Sequence, residues 1–321
     1  MPDAAITGLI EETSLKTHLL KLTGSLPSTR IRIFLAGILF RGLKLFLRKN
    51  DYTVRRMGIR YGLDLTEFID LSIFVLGGFQ MHLAACKYFR LPDNAVIIDV
   101  GANIGAMTLQ FAKKWTQSTV YALEPTDMAY DKLLHNLALN PDLAKRIKPC
   151  RVLAADSSLA LSVCRSAYAS WKVTGGNKGA CHPVHGGERQ SISPVEQLSL
   201  DDFCQKNAIS ALDLIKIDTD GGELKILKGS RQLLARHRPV LIFEAGDYLM
   251  KEHHTTFYDY YDFLKTFGYV LINSKNGREI TPVNFHRHIP LKATIDIVAV
   301  PPHPSIYTPL TANQRSYIKQ K

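Results

Sequence analysis

AVIIDVGANIGAMT, residues 95–108, joins three kinds of local structure in one short run. Val96-Ile97-Ile98 is apolar and β-branched and ends in Asp99, the composition of a buried strand. Gly101-Ala102-Asn103-Ile104-Gly105 is a small-residue turn. From Ile104 to Trp115, the residues Met107, Leu109, Phe111 and Ala112 supply the apolar faces of a helix. A buried strand, a glycine turn and a helix N-terminus together make a nucleotide-binding loop. Glycine lets the backbone approach a ligand that a side chain would hold off. An ordinary βα turn shares the pattern, so the residues downstream decide its meaning.

Beyond Trp115 the pattern alternates between strand and helix. Strands are expected at Thr119–Leu123, Cys150–Ala155, Leu212–Ile217, Pro239–Phe243, Tyr269–Asn273 and Ile295–Val300. Helices are expected at Thr126–Leu139, Leu200–Asn207, Glu223–His237 and Thr255–Phe267. Such alternation predicts an α/β fold with a mainly parallel sheet and helices on both faces. The last two strands lack a helix between them, which predicts a closing antiparallel hairpin. The domain then spans 95–302, with a glycine- and histidine-containing insertion at about 157–199 and a tail at 303–321. Long irregular insertions in compact domains are usually functional or disordered.

Upstream, residues 51–94 read as a hairpin punctuated by Gly58 and Gly62, then helices broken at Gly77-Gly78. Residues 1–50 form an N-terminal extension: a short helical piece broken by Gly24 and Pro27, then an amphipathic helix at 29–49. On that helix Arg30, Arg41, Lys44 and Arg48 fall on one stripe, and most other positions are apolar. It suits an anionic membrane interface, its own domain or a second subunit, and these stay open. Arg32, on the apolar side, would snorkel in each case.

The chain has 321 residues, 46% hydrophobic and 21% charged, enough for a sizeable core. A net charge of +11 favours anionic partners without choosing among nucleic acid, lipid and small substrates. Five scattered cysteines with no CxxC pair read as thiols of a reducing, cytoplasmic compartment. No apolar run is long enough to cross a bilayer, so any membrane contact is peripheral, at the inner face.

Strand ends carry the chemistry. Asp99, Glu124, Asp156 and Asp218 end successive predicted strands, and Glu244 ends the fifth. In open α/β sheets ligands bind outside the carboxyl ends of the strands. Glu124, about twenty residues beyond the glycine turn, suits a ribose diol, with Pro125 beside it. Asp156 suits an adenine amino group. The spacing of Gly101, Asn103 and Gly105 departs from the GxGxxG of NAD sites and admits the methionine part of S-adenosylmethionine instead.

VIIDVGANIG (96–105), YALEP (121–125), LLHNLALN (133–140), SLDDFC (199–204), LIKIDTDGGELKILKGS (214–230) and PVLIFEA (239–245) resemble the FkbM-type methyltransferase family. The resemblance covers about Tyr52 to Val300. It implies the seven-stranded, Rossmann-like class I fold, S-adenosylmethionine as cofactor and, mostly, O-methylation of a sugar, glycolipid or secondary-metabolite hydroxyl. The family's strand-four motif usually reads IDVEGxE; here Asp220 stands for the Glu, keeping charge but shortening reach. Where the family often has Gly-x-Glu before strand one, this chain has Gly78-Phe79-Gln80, and Gln80 would hydrogen-bond the methionine end.

Methylating a hydroxyl needs alignment, exclusion of water and a base. Asp218, Asp220 and Glu244 are the base candidates, with Asp218 also a positioning candidate. Together they could instead hold a divalent cation. Glu223 reads as a first-turn acid of its helix. His182 and His185 read as solvent-accessible loop residues, with a base role open if the loop folds over the substrate. His253, His254, His286 and His288 read as surface loop. Trp171, Tyr248, Phe257, Tyr258, Tyr260 and Tyr261 are candidates for a pocket wall or for core. A small-molecule, lipid-linked or sugar-linked acceptor fits these readings, and oligomerisation is open. Two alternatives are a nucleic-acid methyltransferase, which the absence of an NPPY-like tetrad after strand four disfavours, and a non-catalytic S-adenosylmethionine-binding module.

Overall fold

A computed structural model describes residues 29–47, 49–159, 161, 164, 166–174 and 181–301. The expected helical piece within 1–28, Arg48, Gly175, Gly176, Gly179 and the tail at 303–321 lie outside the described residues.

The described chain begins with α1 (Thr29–Lys44) and the hairpin β1 (Asp51–Arg56) and β2 (Ile59–Asp64). Met57 and Gly58 turn that hairpin in left-handed backbone. Next come α2 (Phe68–Leu76) and α3 (Met81–Ala84), separated at Gly77-Gly78 as expected. The alternation then runs β3 (Val96–Val100), α4 (Ala106–Lys114), β4 (Thr119–Leu123), α5 (Asp127–Ala138), α6 (Pro141–Ala144) and β5 (Ile147–Cys150). Next comes β6 (Val152–Ala155), and the insertion contributes β7 (Ser166–Ser170), β8 (Glu188–Ser191) and β9 (Glu196–Ser199). The second half is α7 (Leu200–Lys206), β10 (Leu214–Ile217), α8 (Glu223–Lys228), α9 (Arg231–Arg236) and β11 (Val240–Gly246). It ends with α10 (Asp247–Glu252), α11 (Phe257–Lys265), β12 (Val270–Asn273) and β13 (Thr294–Val300).

Seven strands form one sheet in the order β12-β13-β11-β10-β3-β4-β5. All pairs are parallel except those of β13, which runs antiparallel to both β11 and β12. This is the expected Rossmann-like class I arrangement with its antiparallel closure. Alternate side chains serve two cores, as the period of a strand requires. Ile97, Val120, Leu214 and Val240 pack with α4, α5 and the N-terminal hairpin. Ile98, Tyr121, Ile215 and Leu241 pack with α7 to α11.

Three boundaries differ from expectation. Strand three ends at Cys150; at Arg151 the chain leaves the sheet, and β6 pairs with β9 instead. The Glu223–His237 helix is two helices, because Gly229 lies directly against the Ala155 carbonyl and Ser230 turns its hydroxyl to the Ile226 carbonyl, 2.7 Å away. The N-terminal helix ends at Lys44, whose Nζ bonds the Asn50 side chain (3.1 Å) and the Lys49 carbonyl (3.3 Å).

Helix α1 packs on its own domain through Phe40, Ala36, Leu39 and Leu43. Gly37 makes the approach close: a β-carbon there would sit 2.6 Å from the Val173 carbonyl oxygen. Its outer stripe of Ile31, Phe34, Ile38 and Arg41 is exposed, Phe34 by 66%. No helix among the described residues is long and apolar enough to cross a membrane.

Two asparagines tie the hairpin to the sheet. Asn136 accepts from the Gly62 amide (2.8 Å) and donates to the Ile104 carbonyl (2.8 Å). Asn140 accepts from the Arg60 amide (2.9 Å) and donates to its carbonyl (2.6 Å).

Candidate active site

The turn after β3 holds three residues in left-handed backbone: Gly101 (φ 74°), Asn103 (49°) and Gly105 (83°). At Gly101 glycine is obligatory, since a β-carbon would be driven into the Asp218 carbonyl. The turn thus lies flat on the end of β10. The Gly101 and Ala102 amides both donate to the Leu123 carbonyl, at 2.9 and 3.0 Å. Gly105 caps α4 and stays out of the cavity wall.

Glu124 follows β4 and is 4% exposed. One carboxylate oxygen accepts from the Asn103 amide (2.9 Å), the other from the Thr126 amide (2.9 Å) and hydroxyl (2.6 Å). Burial lifts its carboxyl above the usual range against the pull of these bonds. The carboxylate keeps acceptor capacity toward a cavity of about 340 Å³. Gly101, Asn103, Glu124, Pro125 and Asp218 all wall this cavity.

Besides Gly105, two more of the expected contacts are elsewhere. Asp156 is exposed and outside the cavity wall, because β6 has already left the sheet; Val152, Leu153 and Ala154 line the cavity in its place. Asp99 lies within β3 and is fully buried behind the wall. It accepts from the Thr108 hydroxyl (2.6 Å) and pairs with Lys216 Nζ (3.2 Å).

Lys216 is the residue that sequence reasoning missed. It lies inside β10, 4% exposed, and its ammonium reaches Asp99, Asp218 (3.4 Å) and the Gly101 carbonyl (3.3 Å). Burial opposes its charge, and the two carboxylates overcome that and raise its pKa. A lysine within the otherwise apolar LIKI was the available signal: a buried strand tolerates a cation only beside anions. Gln80, before α3, donates from Nε2 to the same Asp218 oxygen (3.0 Å), leaving its own buried Oε1 without a partner. Asp218 is therefore held from two sides, by Lys216 and Gln80.

The loop after β10 is shaped by Glu223. Its Oε1 accepts from the Thr219 amide (2.9 Å), the Thr219 hydroxyl (3.1 Å) and the Gly221 amide (3.1 Å). This agrees with a helix-start role. The loop aims Asp220, in left-handed backbone (φ 53°), into the cavity, and Glu244 enters from β11. Burial lifts both carboxyls well above their usual values, and neighbouring acids add to it, Asp218 foremost. Thr294 donates its hydroxyl to Glu244. Among the described residues no group of three or more His, Cys, Asp or Glu side chains is placed so that it could hold a metal ion.

The insertion forms the remaining wall. Glu67 pins it, accepting from the Ser170 hydroxyl (2.7 Å) and Trp171 amide (2.9 Å) and pairing with Lys172 (2.7 Å). His182 and His185 are not solvent-accessible loop residues: they are 7% and 2% exposed and stack at 3.8 Å. His182 Nε2 meets Glu252 at 2.8 Å, and its Nδ1 accepts from the His185 amide (3.3 Å). Burial and the His182 neighbour push His185 down to about 3, so its ring is neutral. Its Nδ1 accepts from the Gly187 amide (3.1 Å), which leaves Nε2 carrying the hydrogen, and that atom is not a base. Trp171 and Tyr248 wall the cavity, Phe257 and Tyr260 are core, and Tyr258 is exposed. His253, expected on the surface, is half-buried against Gly221 in the cavity wall.

A model of the methyltransferase FkbM domain matches residues 99–271, more than half of the chain. The chain belongs to the FkbM methyltransferase family. The matched region holds the glycine turn, Glu124, the Asp218–Glu223 motif and Glu244, while Gln80 and α1 precede it. Methyltransferase sdnD of Sordaria araneosa is similar, 29% identical over 160 residues, which are 44% of this chain and 62% of that protein. Methyltransferase 1 of Beauveria bassiana (strain ARSEF 2860) is 29% identical over 173 residues, 51% of this chain and 66% of its own length. The chain thus spans just under two thirds of the length of these two curated methyltransferases. The crystal structure of methyltransferase FkbM from Methylobacillus flagellatus KT is similar at 16% identity, covering 72% of this chain and 53% of that one, with a TM-score of 0.44.

Proposed function

We propose that the protein is an S-adenosylmethionine-dependent methyltransferase that methylates a hydroxyl oxygen of a sugar, glycolipid or secondary metabolite. The observation that carries this reading is a cavity with the buried Glu124 carboxylate and the unpartnered Gln80 Oε1 both in its wall. Glu124 has acceptor capacity for a ribose diol. Gln80 Oε1 suits the ammonium of the methionine part, and Val152–Ala154 offer an edge for adenine. When bound, the donor supplies a methyl group on a sulfonium, open to in-line attack by an oxygen.

The chain's own groups must hold that oxygen, exclude water and take its proton. Asp218, fixed by Lys216 and Gln80, is the positioning anchor. Asp220 and Glu244 have the raised carboxyls that proton transfer near neutral pH requires. Glu244 is the better base candidate. It walls the donor cavity and also a second cavity beside it, so it sits where an acceptor would meet the donor. The acceptor hydroxyl gives its proton to the Glu244 carboxylate as the oxygen takes the methyl group.

Calorimetric titration with S-adenosylmethionine tests the donor assignment. Saturable binding that Glu124→Ala weakens supports it, and equal affinity of the two proteins defeats it.

A further inference from the structure

The second cavity is about 970 Å³, near the upper end of small-ligand sites at about 300–1,000 Å³. It is a half-open cleft, so a ligand can enter it from the surface. The two cavities share Phe68, Phe79, Gln80, Glu244 and Thr294 as wall residues.

The α1 and α2 side of the wall is mostly apolar. Leu35, Ala36, Leu39, Leu71, Val75 and Leu76, from α1 and α2, are all apolar. The polar groups of the wall include Arg32 of α1 and Ser72 of α2, and they gather at Asp296, which His82 meets at 3.1 Å and whose charge acts on Arg32, with Gln80, Glu244 and Thr294 in the same wall. Ile38 lies in the wall and is also 50% exposed, so the cavity runs out to the exposed stripe of Ile31, Phe34 and Arg41.

We infer that the acceptor is an amphiphile, a hydroxylated head on an aliphatic chain, with the chain lying under α1 and the head at Glu244 and Gln80. This rests on the methyltransferase reading. Helix α1 then serves as a roof over the acceptor chain. Its exposed apolar rim suits a chain that arrives either from solution or from a lipid surface.

The test uses n-alkyl β-glucosides from methyl to dodecyl, with the full chain and S-adenosylmethionine. Each methylene buried contributes about 0.8 kcal/mol, so kcat/KM should rise about fourfold per methylene until the cavity is filled. A flat series overturns the inference. If the donor binds and methyl glucoside is methylated as well as the longer probes, the inference falls and the methyltransferase reading stands. If dodecyl glucoside binds by calorimetry but S-adenosylmethionine does not, the underlying reading falls instead. Ala36→Trp should abolish the chain-length dependence with donor affinity unchanged; a retained dependence counts against the inference. Leu76→Trp fills the same space from α2 and answers the question where Ala36→Trp does not fold. Dodecyl glucoside below its micelle concentration, compared with the same probe in phosphatidylcholine vesicles with and without phosphatidylserine, separates the two sources. Turnover in either form supports the chain site, and turnover in neither overturns it.

Discussion

Lys216→Met removes one ammonium from a place where three groups depend on it. Asp99 is fully buried with a Lys216 contact at 3.2 Å, Asp218 lies at 3.4 Å, and the Gly101 carbonyl lies at 3.3 Å. Methionine keeps the length of the side chain, so packing changes little. The cost is electrostatic: Asp99 would remain inside the sheet with the Thr108 hydroxyl as its one remaining side-chain partner. Removing one member of a buried pair costs about 3–5 kcal/mol. At about 2–4 °C per kcal/mol, melting should fall by about 6–20 °C. Asp218 would lose a restraint as well, so donor affinity should fall alongside stability. Adding Asp99→Asn removes the stranded charge and keeps a partner for Thr108, and should recover more than half of the loss. Urea denaturation of the two single variants, the double variant and the wild type closes the cycle. A Lys216→Met penalty below about 1 kcal/mol, or strict additivity in the double variant, would refute the pairing argument.

On the proposed reading, in which Glu124 holds the ribose diol of the donor, Glu124→Ala removes an acceptor of two hydroxyls, each bond contributing about 1.5–3 kcal/mol. The dissociation constant for S-adenosylmethionine should rise by two decades or more, and calorimetry checks it. For Glu244 the sign follows from its raised carboxyl: a base must be ionised, so kcat/KM should fall as pH drops through a value above the ordinary ~4.3 of glutamate. Glu244→Gln should remove that limb and lower the rate by about 10²–10⁴-fold. Because the folded state favours the protonated form, the ionised carboxyl costs stability above its folded pKa, so Glu244→Gln should also melt higher at neutral pH. Gly37→Leu should lift α1 from the Val173 carbonyl at about 1–3 kcal/mol, read as faster limited proteolysis near α1.

Much of the sheet was legible, because β3, β4, β10 and β11 are short, strongly apolar and separated by clear helix patterns. The place of Glu124, directly after β4, was legible because the apolar run that precedes it reads as a strand. Asp156 was misplaced for a tertiary reason: VLAA reads as a strand, and it is one, but its partner is β9, forty residues on. Long-range pairing of that kind leaves no local mark. Asp99 and Lys216 illustrate the same limit from opposite sides. An acid at a strand end looks like a ligand contact, and a lysine in a strand looks like surface, until the register Lys216↔Asp99 brings them together. His182 and His185 were read as solvated because their loop is rich in glycine, whereas their burial depends on Tyr168, Trp171 and Tyr248 from other elements.

The Asn136 and Asn140 links reach further than the hairpin they hold. The family match begins at Asp99, so a chain cut to start at Ala95 would look like an intact catalytic unit. Such a cut would take away the Gly62 and Arg60 backbone that these amides bond, and would leave Asn136, fully buried, half-satisfied beside the Ile104 carbonyl. Ile104 belongs to the glycine turn itself. The hairpin is thus a brace on the turn, and the shortest fragment able to keep the glycine turn in shape must begin at or before Asp51.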